Sequence, residues 1–194
     1  MKTDMHTQHE SAHTPVPLEK AYLLLNHGPV TLISSCHQGR RNVMAASWAM
    51  PVDFSPPKMA VVIDRQTYSR ELIERSGELV INIPSDRMLD AIVHAGTASG
   101  RSVDKLRELP ELCPGSHVAA PLIAGCLGWL ECKVLPEPHN QRQHDLFIVE
   151  VLAAWADPSV FRQGRWLFET GGPRTVHYSA GGQFFLTGEA KQTK

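Results

Sequence analysis

NVMAASWAMPVDFSPPKMAVVIDRQTYSRELIERSGELVINIPS, residues 42–85, reads as strand, proline-marked loop, strand, polar turn, short helix and strand. Asn42–Met50 is a strand, and Met59–Ile63 is a short apolar run after Pro56-Pro57, as a buried strand would be. Thr67–Arg75 carries Leu72 and Ile73 on one side and charges on the other, which predicts a surface helix that Gly77 stops. Leu79–Ile83 is the next strand. The small and polar residues of this stretch fall at strand ends and at the turn. Those are the positions where a β-rich scaffold presents side chains and amides to a ligand.

Outward from this stretch the pattern stays β-rich. Toward the N-terminus, Leu18, Tyr22 and Leu25 recur at helical spacing after Pro17, and Gly28 closes that helix. Pro29–Cys36 and the return strand at Asn42 form a hairpin around Gly39. Ser85 stands as N-cap for a helix over Met88–His94, which the run Gly96–Gly100 breaks, and Ser102 caps a further short helix through Leu106. Glu108–Gly125, with its prolines and glycines, reads as an excursion. Cys126–Leu135 and Leu146–Trp155 are the longest strand candidates, separated by a polar loop over Pro136–Asp145; Arg165–Phe168, Thr175–Tyr178 and Gln183–Leu186 follow. With about seven or eight strands and no alternation of strand and helix, the chain is expected to be mainly β, an antiparallel barrel with short helical insertions. Residues 17–188 are expected to form one domain, with 1–16 (including His6, His9 and His13) and 189–194 as flexible tails.

Composition narrows the function. The chain has 194 residues, is 42% hydrophobic and 20% charged, and carries a formal charge of -1, so nothing draws it to nucleic acid. No apolar run is long enough to span a bilayer, and Met1–Pro17 lacks the apolar centre of a secretory signal. Cys36, Cys113, Cys126 and Cys132 are widely spaced in strand-like surroundings, which predicts reduced thiols and a cytoplasmic protein. The nucleophile-elbow, zincin, Walker and dinucleotide-fold motifs are absent. If the chain is an enzyme, a bound cofactor supplies the reactivity.

Several short motifs, taken in order, resemble the FMN-binding split-barrel family of flavin reductase-like proteins, nearest its flavoredoxin branch. They are Asn42-x-Met44-Ala45-Ala46-Ser47-Trp48, a proline pair before an apolar strand, Arg65-Gln66-Thr67-Tyr68, Leu79–Ser85, Ser99-Gly100-Arg101-x-x-Asp104-Lys105, and His144-x-x-Phe147-Ile148-x-Glu150-Val151. The resemblance spans roughly residues 25–180.

It implies a split barrel, a homodimer with flavin near the subunit interface, and FMN in preference to FAD. Hydride would pass from NAD(P)H through the flavin to free flavin, a metal complex or a partner protein; a flavin carrier or sensor without turnover is the other reading. Met44, Ala45, Ala46, Ser47 and Trp48 would lie along the flavin ring, where small residues allow close approach, although on their own they read as a tightly packed strand. Arg65, Gln66, Thr67 and Tyr68 stand where a strand hands over to a helix. Ser99, Gly100, Arg101 and Lys105 concentrate positive charge on one turn. The sequence leaves open which of these elements takes the phosphate. His144 is similar to a family histidine on the nicotinamide side, though Gln141-Arg142-Gln143 before it departs from the family pattern. His177-Tyr178 lies in a region where the flavoredoxin branch has an aromatic pair, which implies a contribution to the flavin pocket.

Overall fold

The computed structural model describes residues 13–191. The strands are β1 (Thr14–Val16), β2 (Thr31–His37), β3 (Arg40–Ala46), β4 (Ala49–Phe54), β5 (Pro57–Val62), β6 (Glu78–Ile83), β7 (Leu112–Cys113), β8 (Leu122–Ile123), β9 (Gly128–Val134) and β10 (Leu146–Ala156). Three helices, α1 (Tyr68–Ser76), α2 (Leu89–Thr97) and α3 (Pro138–His144), are set among them. Two short hairpins follow, β11 (Phe161–Arg162) with β12 (Arg165–Trp166), and β13 (Val176–Ala180) with β14 (Gln183–Leu186).

The main sheet runs β3-β2-β6-β9-β10-β5-β4. Its two ends, β3 and β4, are consecutive in the chain and joined only by Ser47-Trp48. That short link makes the sheet curl until its ends meet, which is a barrel with a split between β3 and β4. The mainly β reading and the barrel therefore both hold. Side chains alternate between two cores. Ile33, Ile81, Leu130, Phe147 and Val149 fill the barrel, whereas Leu32, Val80 and Trp129 join Ile92 and Val118 outside it. Burial on both faces explains why the central strands are continuous apolar runs, each buried Leu or Ile adding about 1.5–3 kcal/mol.

Several sequence expectations change. Thr14–Val16 belongs to the sheet and not to a tail: β5 covers β10 only as far as Glu150, and β1 takes the free edge beyond it, with Thr14 opposite Ala156 and Val16 opposite Ala154. Residues 1–12 and 192–194, the rest of the expected tails, lie outside the described residues. The return strand breaks at Ser47-Trp48 and restarts as β4. The polar loop over Pro136–Asp145 contains α3, which starts with Pro138 in its first turn. Ser85 makes no capping bond, and α2 runs on through Gly96 to Thr97. Asp104, not Ser102, caps the short 3-10 turn Lys105–Glu108, its carboxylate accepting from the Leu106 amide at 3.1 Å.

Candidate functional site

A trough runs along the free edge of β3, where the sheet order ends, and takes in residues from both faces of the strand. Its floor is Asn42, Met44 and Ala45; one wall is the turn into α1, and the other is the end of α2 with the turn after it. The local chemistry holds each wall. Thr67 caps α1: its hydroxyl accepts from the Arg70 amide at 3.2 Å and donates to the Asp64 carbonyl at 2.8 Å. Gly77 ends α1 in the left-handed conformation, with φ +71°. Across the trough Gly96 packs on Ala45, where a Cβ on Gly96 would stand 3.4 Å from that methyl. Gly100 lies so close to the Asn42 amide that any side chain there would overlap it. Asn42 is fixed from behind, donating to the Ser69 hydroxyl at 2.9 Å.

The trough is graded. At one end is an apolar recess of about 240 Å³ among Val30, Ala45, Ser47, Ile92, Val93, Tyr178 and Phe184. Ala45 and Gly96 also line the next cavity, of about 380 Å³, where Gln66, Thr67, Tyr68, Ser69, Ser99, Gly100 and Lys105 supply polar groups. Lys105 is the cation at the polar end. It is buried, its ammonium donates to the Ala95 carbonyl at 2.8 Å, and among the described residues it makes no ion pair. Burial without a countercharge lowers its pKa to about 8. A buried ammonium held by one backbone carbonyl has room in its electrostatics for a countercharge.

The recess is closed by the hairpin β13–β14, which carries Tyr178 and Phe184 with their rings 5.3 Å apart. The Val30 amide donates to the Val176 carbonyl at 2.8 Å, and His27 Nε2 bonds the Thr175 hydroxyl at 2.8 Å. His27 Nδ1 is buried and, among the described residues, has no hydrogen-bond partner. Burial, with His177 adding to it, depresses the His27 pKa to about 4.

Of the residues singled out from sequence, Met44, Ala45, Ser47, Gln66, Thr67, Tyr68, Ser99, Gly100 and Lys105 line the recess or the polar cavity. Ala46 points into the barrel core instead. Trp48 is 72% exposed beside the split. Arg101 stands at the rim, paired with Glu71 at 2.7 Å and lying over the Tyr68 ring; that hydrogen bond holds the Glu71 carboxyl below its usual range. Arg65 is outside the trough lining. It donates to the Arg142 carbonyl at 3.0 Å and approaches Asp145 at 3.3 Å, so it serves as a cap for α3. His144, at the exposed end of α3, packs on His139 and lines neither cavity.

Sequence reasoning passed over Arg70. It is buried, bonded to Glu74, Asp145 and the Ile63 and Gln141 carbonyls, and lies over the Phe147 ring. It locks the turn at Asp64–Thr67 against α3. It also missed Phe184 and Gly96; the small residues Ala91, Ala95 and Gly96 along α2 were the signal for the latter.

The chain belongs to the flavin reductase-like family: residues 24–177 match the flavin reductase like domain. Among its relatives, the uncharacterized protein YddH of Escherichia coli is 40% identical over 184 residues, 92% of this chain and 97% of YddH. A solved structure described as an FMN-binding domain of a flavin reductases-like enzyme from Shewanella baltica is 46% identical with a TM-score of 0.90, covering 94% of this chain and 97% of that one. The flavoredoxin of Desulfovibrio vulgaris is 25% identical with a TM-score of 0.74, covering 100% and 97%.

Proposed function

We propose that the trough binds FMN and that the protein is an oxidoreductase taking hydride from NAD(P)H and passing electrons to free flavin, a metal complex or a partner protein. The observation that carries this reading is the gradient from the apolar recess to Lys105, which matches a molecule with a flat apolar ring at one end and a phosphate at the other. Ala45 and Ser47 would lie under the ring, with Tyr178 and Phe184 closing over it. Ser99, the close-set Gly100 and Lys105 would hold the phosphate, with Thr67 contributing through its position and not through its hydroxyl, which is already engaged in capping. Of the two basic elements read from the sequence, Ser99–Lys105 is therefore the better phosphate site. Bound flavin supplies the capacity to accept and release a hydride equivalent; the protein supplies binding, orientation and electrostatics.

The same reading extends to assembly. Met50, Val52 and Phe54 alternate along the edge strand β4 with Trp48 just before it, and all four are exposed. A continuous apolar stripe on an edge strand is unusual for a surface facing water. A second copy of the chain would cover it and bring a subunit boundary beside Ser47, as a homodimer of this family would. The free, mostly buried cysteines suit the reducing cytoplasm.

Reductase turnover is tested by anaerobic mixing of the FMN-loaded protein with NADH and with NADPH. Rapid bleaching of the flavin bands with either nucleotide supports the oxidoreductase; no bleaching with both favours a carrier or sensor. The exposed position of His144, away from the cavities, is the observation that keeps this second reading in view. A His144→Ala variant in the same assay tests its nicotinamide-side role.

A further inference from the structure

Lys105 has a second capacity that follows from the same burial. It lines the polar cavity of about 380 Å³, and its Nζ makes one bond, to the Ala95 carbonyl at 2.8 Å. Among the described residues no carboxylate pairs with it. The neighbouring Asp104 is turned instead to the Leu106 amide at 3.1 Å and to Arg107 at 3.4 Å. Nothing therefore holds the nitrogen in its charged form. At pH 8 about half of a lysine titrating near 8 is neutral and nucleophilic, against roughly one part in 300 of a lysine with the usual value of 10.5.

The cavity sets this amine beside groups that suit a phosphoryl anion. The Ser69 hydroxyl accepts from Asn42 at 2.9 Å and the Ser99 hydroxyl from the Arg101 amide at 3.3 Å; both line the cavity, and among the described residues neither donates its own proton. The product of acylation also fits. An amide at Nζ keeps one N–H for the Ala95 carbonyl and removes a charge buried without a partner, so the fold tolerates it. We propose that Lys105 is a site of acylation by acyl phosphates, small donors with a phosphoryl anion on a reactive acyl carbon, and that acylation closes the phosphate end of the trough to flavin. The Nζ lone pair forms a bond to the acyl carbon, and the bond from that carbon to the phosphate oxygen breaks. Phosphate leaves with the electron pair, and the proton lost from nitrogen passes to water. The consequence for flavin rests on the reading of the trough as an FMN site; the reaction at Lys105 does not.

The test is incubation of the flavin-free protein with acetyl phosphate at pH 8, with acetylation of each lysine followed over time by peptide mass spectrometry. Lys105 is expected to react about tenfold or more faster than the exposed Lys133 and Lys191, and excess inorganic phosphate should slow Lys105 alone. The acetylated protein should keep its circular dichroism spectrum and bind FMN roughly 10- to 100-fold more weakly in a fluorescence titration, the loss expected of one charged hydrogen bond. Acetylation of Lys105 no faster than of Lys133, or no protection by phosphate, would overturn the proposal and leave the FMN site standing. Undiminished FMN binding by the acetylated protein would overturn it as well. Selective, phosphate-protected acetylation of a protein that binds FMN in neither form would uphold the reaction and remove the flavin reading.

Discussion

Lys105 offers a quantitative handle on the phosphate end of the trough. Its ammonium is buried, donates to the Ala95 carbonyl at 2.8 Å and titrates near pH 8. The phosphate of FMN is already dianionic above pH 7, so over the alkaline range only the protein changes its charge. The folded pKa lies below the usual lysine value, so the charged form is lost as pH rises through about 8. If phosphate binding needs the charged form, the apparent dissociation constant scales inversely with the protonated fraction. That fraction falls from about nine-tenths at pH 7 to about one-tenth at pH 9, so FMN should bind about tenfold more weakly at pH 9. Riboflavin, which has no phosphate, should show no such dependence. Lys105→Met should flatten the FMN profile and weaken FMN binding at pH 7 by roughly 10- to 100-fold, the worth of one charged hydrogen bond of about 1.5–3 kcal/mol. The assay is equilibrium titration by flavin fluorescence, with circular dichroism checking that the variant is folded. A flat FMN profile in the wild type, or riboflavin weakening in parallel with FMN, would refute the assignment of Lys105 to the phosphate.

Four further outcomes follow from the same geometry. Gly100→Ala places a methyl on the Asn42 amide and should displace the turn, weakening FMN binding by about tenfold or more by titration while leaving the melting temperature within a few degrees. Arg70→Met strands Asp145 and two backbone carbonyls, and should lower stability by about 3 kcal/mol in urea unfolding with an unchanged m-value. His27 is neutral in the folded protein, whereas its unfolded-state pKa is 6.5. Its contribution is therefore complete above pH 6.5 and is lost as pH falls toward 4, with a slope of at most about 1.4 kcal/mol per pH unit. Replacement by Phe should remove that slope from a denaturation series across pH 4–7. Phe54→Asp, at the C-terminal end of the apolar stripe, should shift the protein from dimer to monomer by light scattering; an unchanged mass would remove β4 from the interface.

What could be read beforehand was local. Thr67 and Gly77 mark the ends of α1 by their own chemistry, and the apolar runs of β5, β6 and β9 need only alternation and length to be recognised. The Ser99–Lys105 turn was legible because glycine and the basic residues sit within one short segment. Long-range pairing set the rest. Arg65 reads as an anion ligand by sequence, but the end of α3 lies beside it, and the arginine caps the Arg142 carbonyl there. The helix α3, PHNQRQH, has no apolar periodicity to announce it; none of its residues is buried, and its contacts run through Arg65 and Arg70. Tyr178 and Phe184 reach the recess only because the Thr175 segment is tied to Val30 and His27, about 150 residues earlier in the chain. Thr14–Val16 becomes a strand because β10 outruns β5, a mismatch of lengths that no local pattern records.

The central claim, that the trough is a flavin site, is tested most directly by the visible absorption spectrum after reconstitution. The protein is stripped of flavin, incubated with excess FMN and passed through a desalting column. Retention of stoichiometric FMN, with its absorption bands shifted from those of free FMN, is the predicted result. A colourless, folded protein emerging from that column would contradict the account.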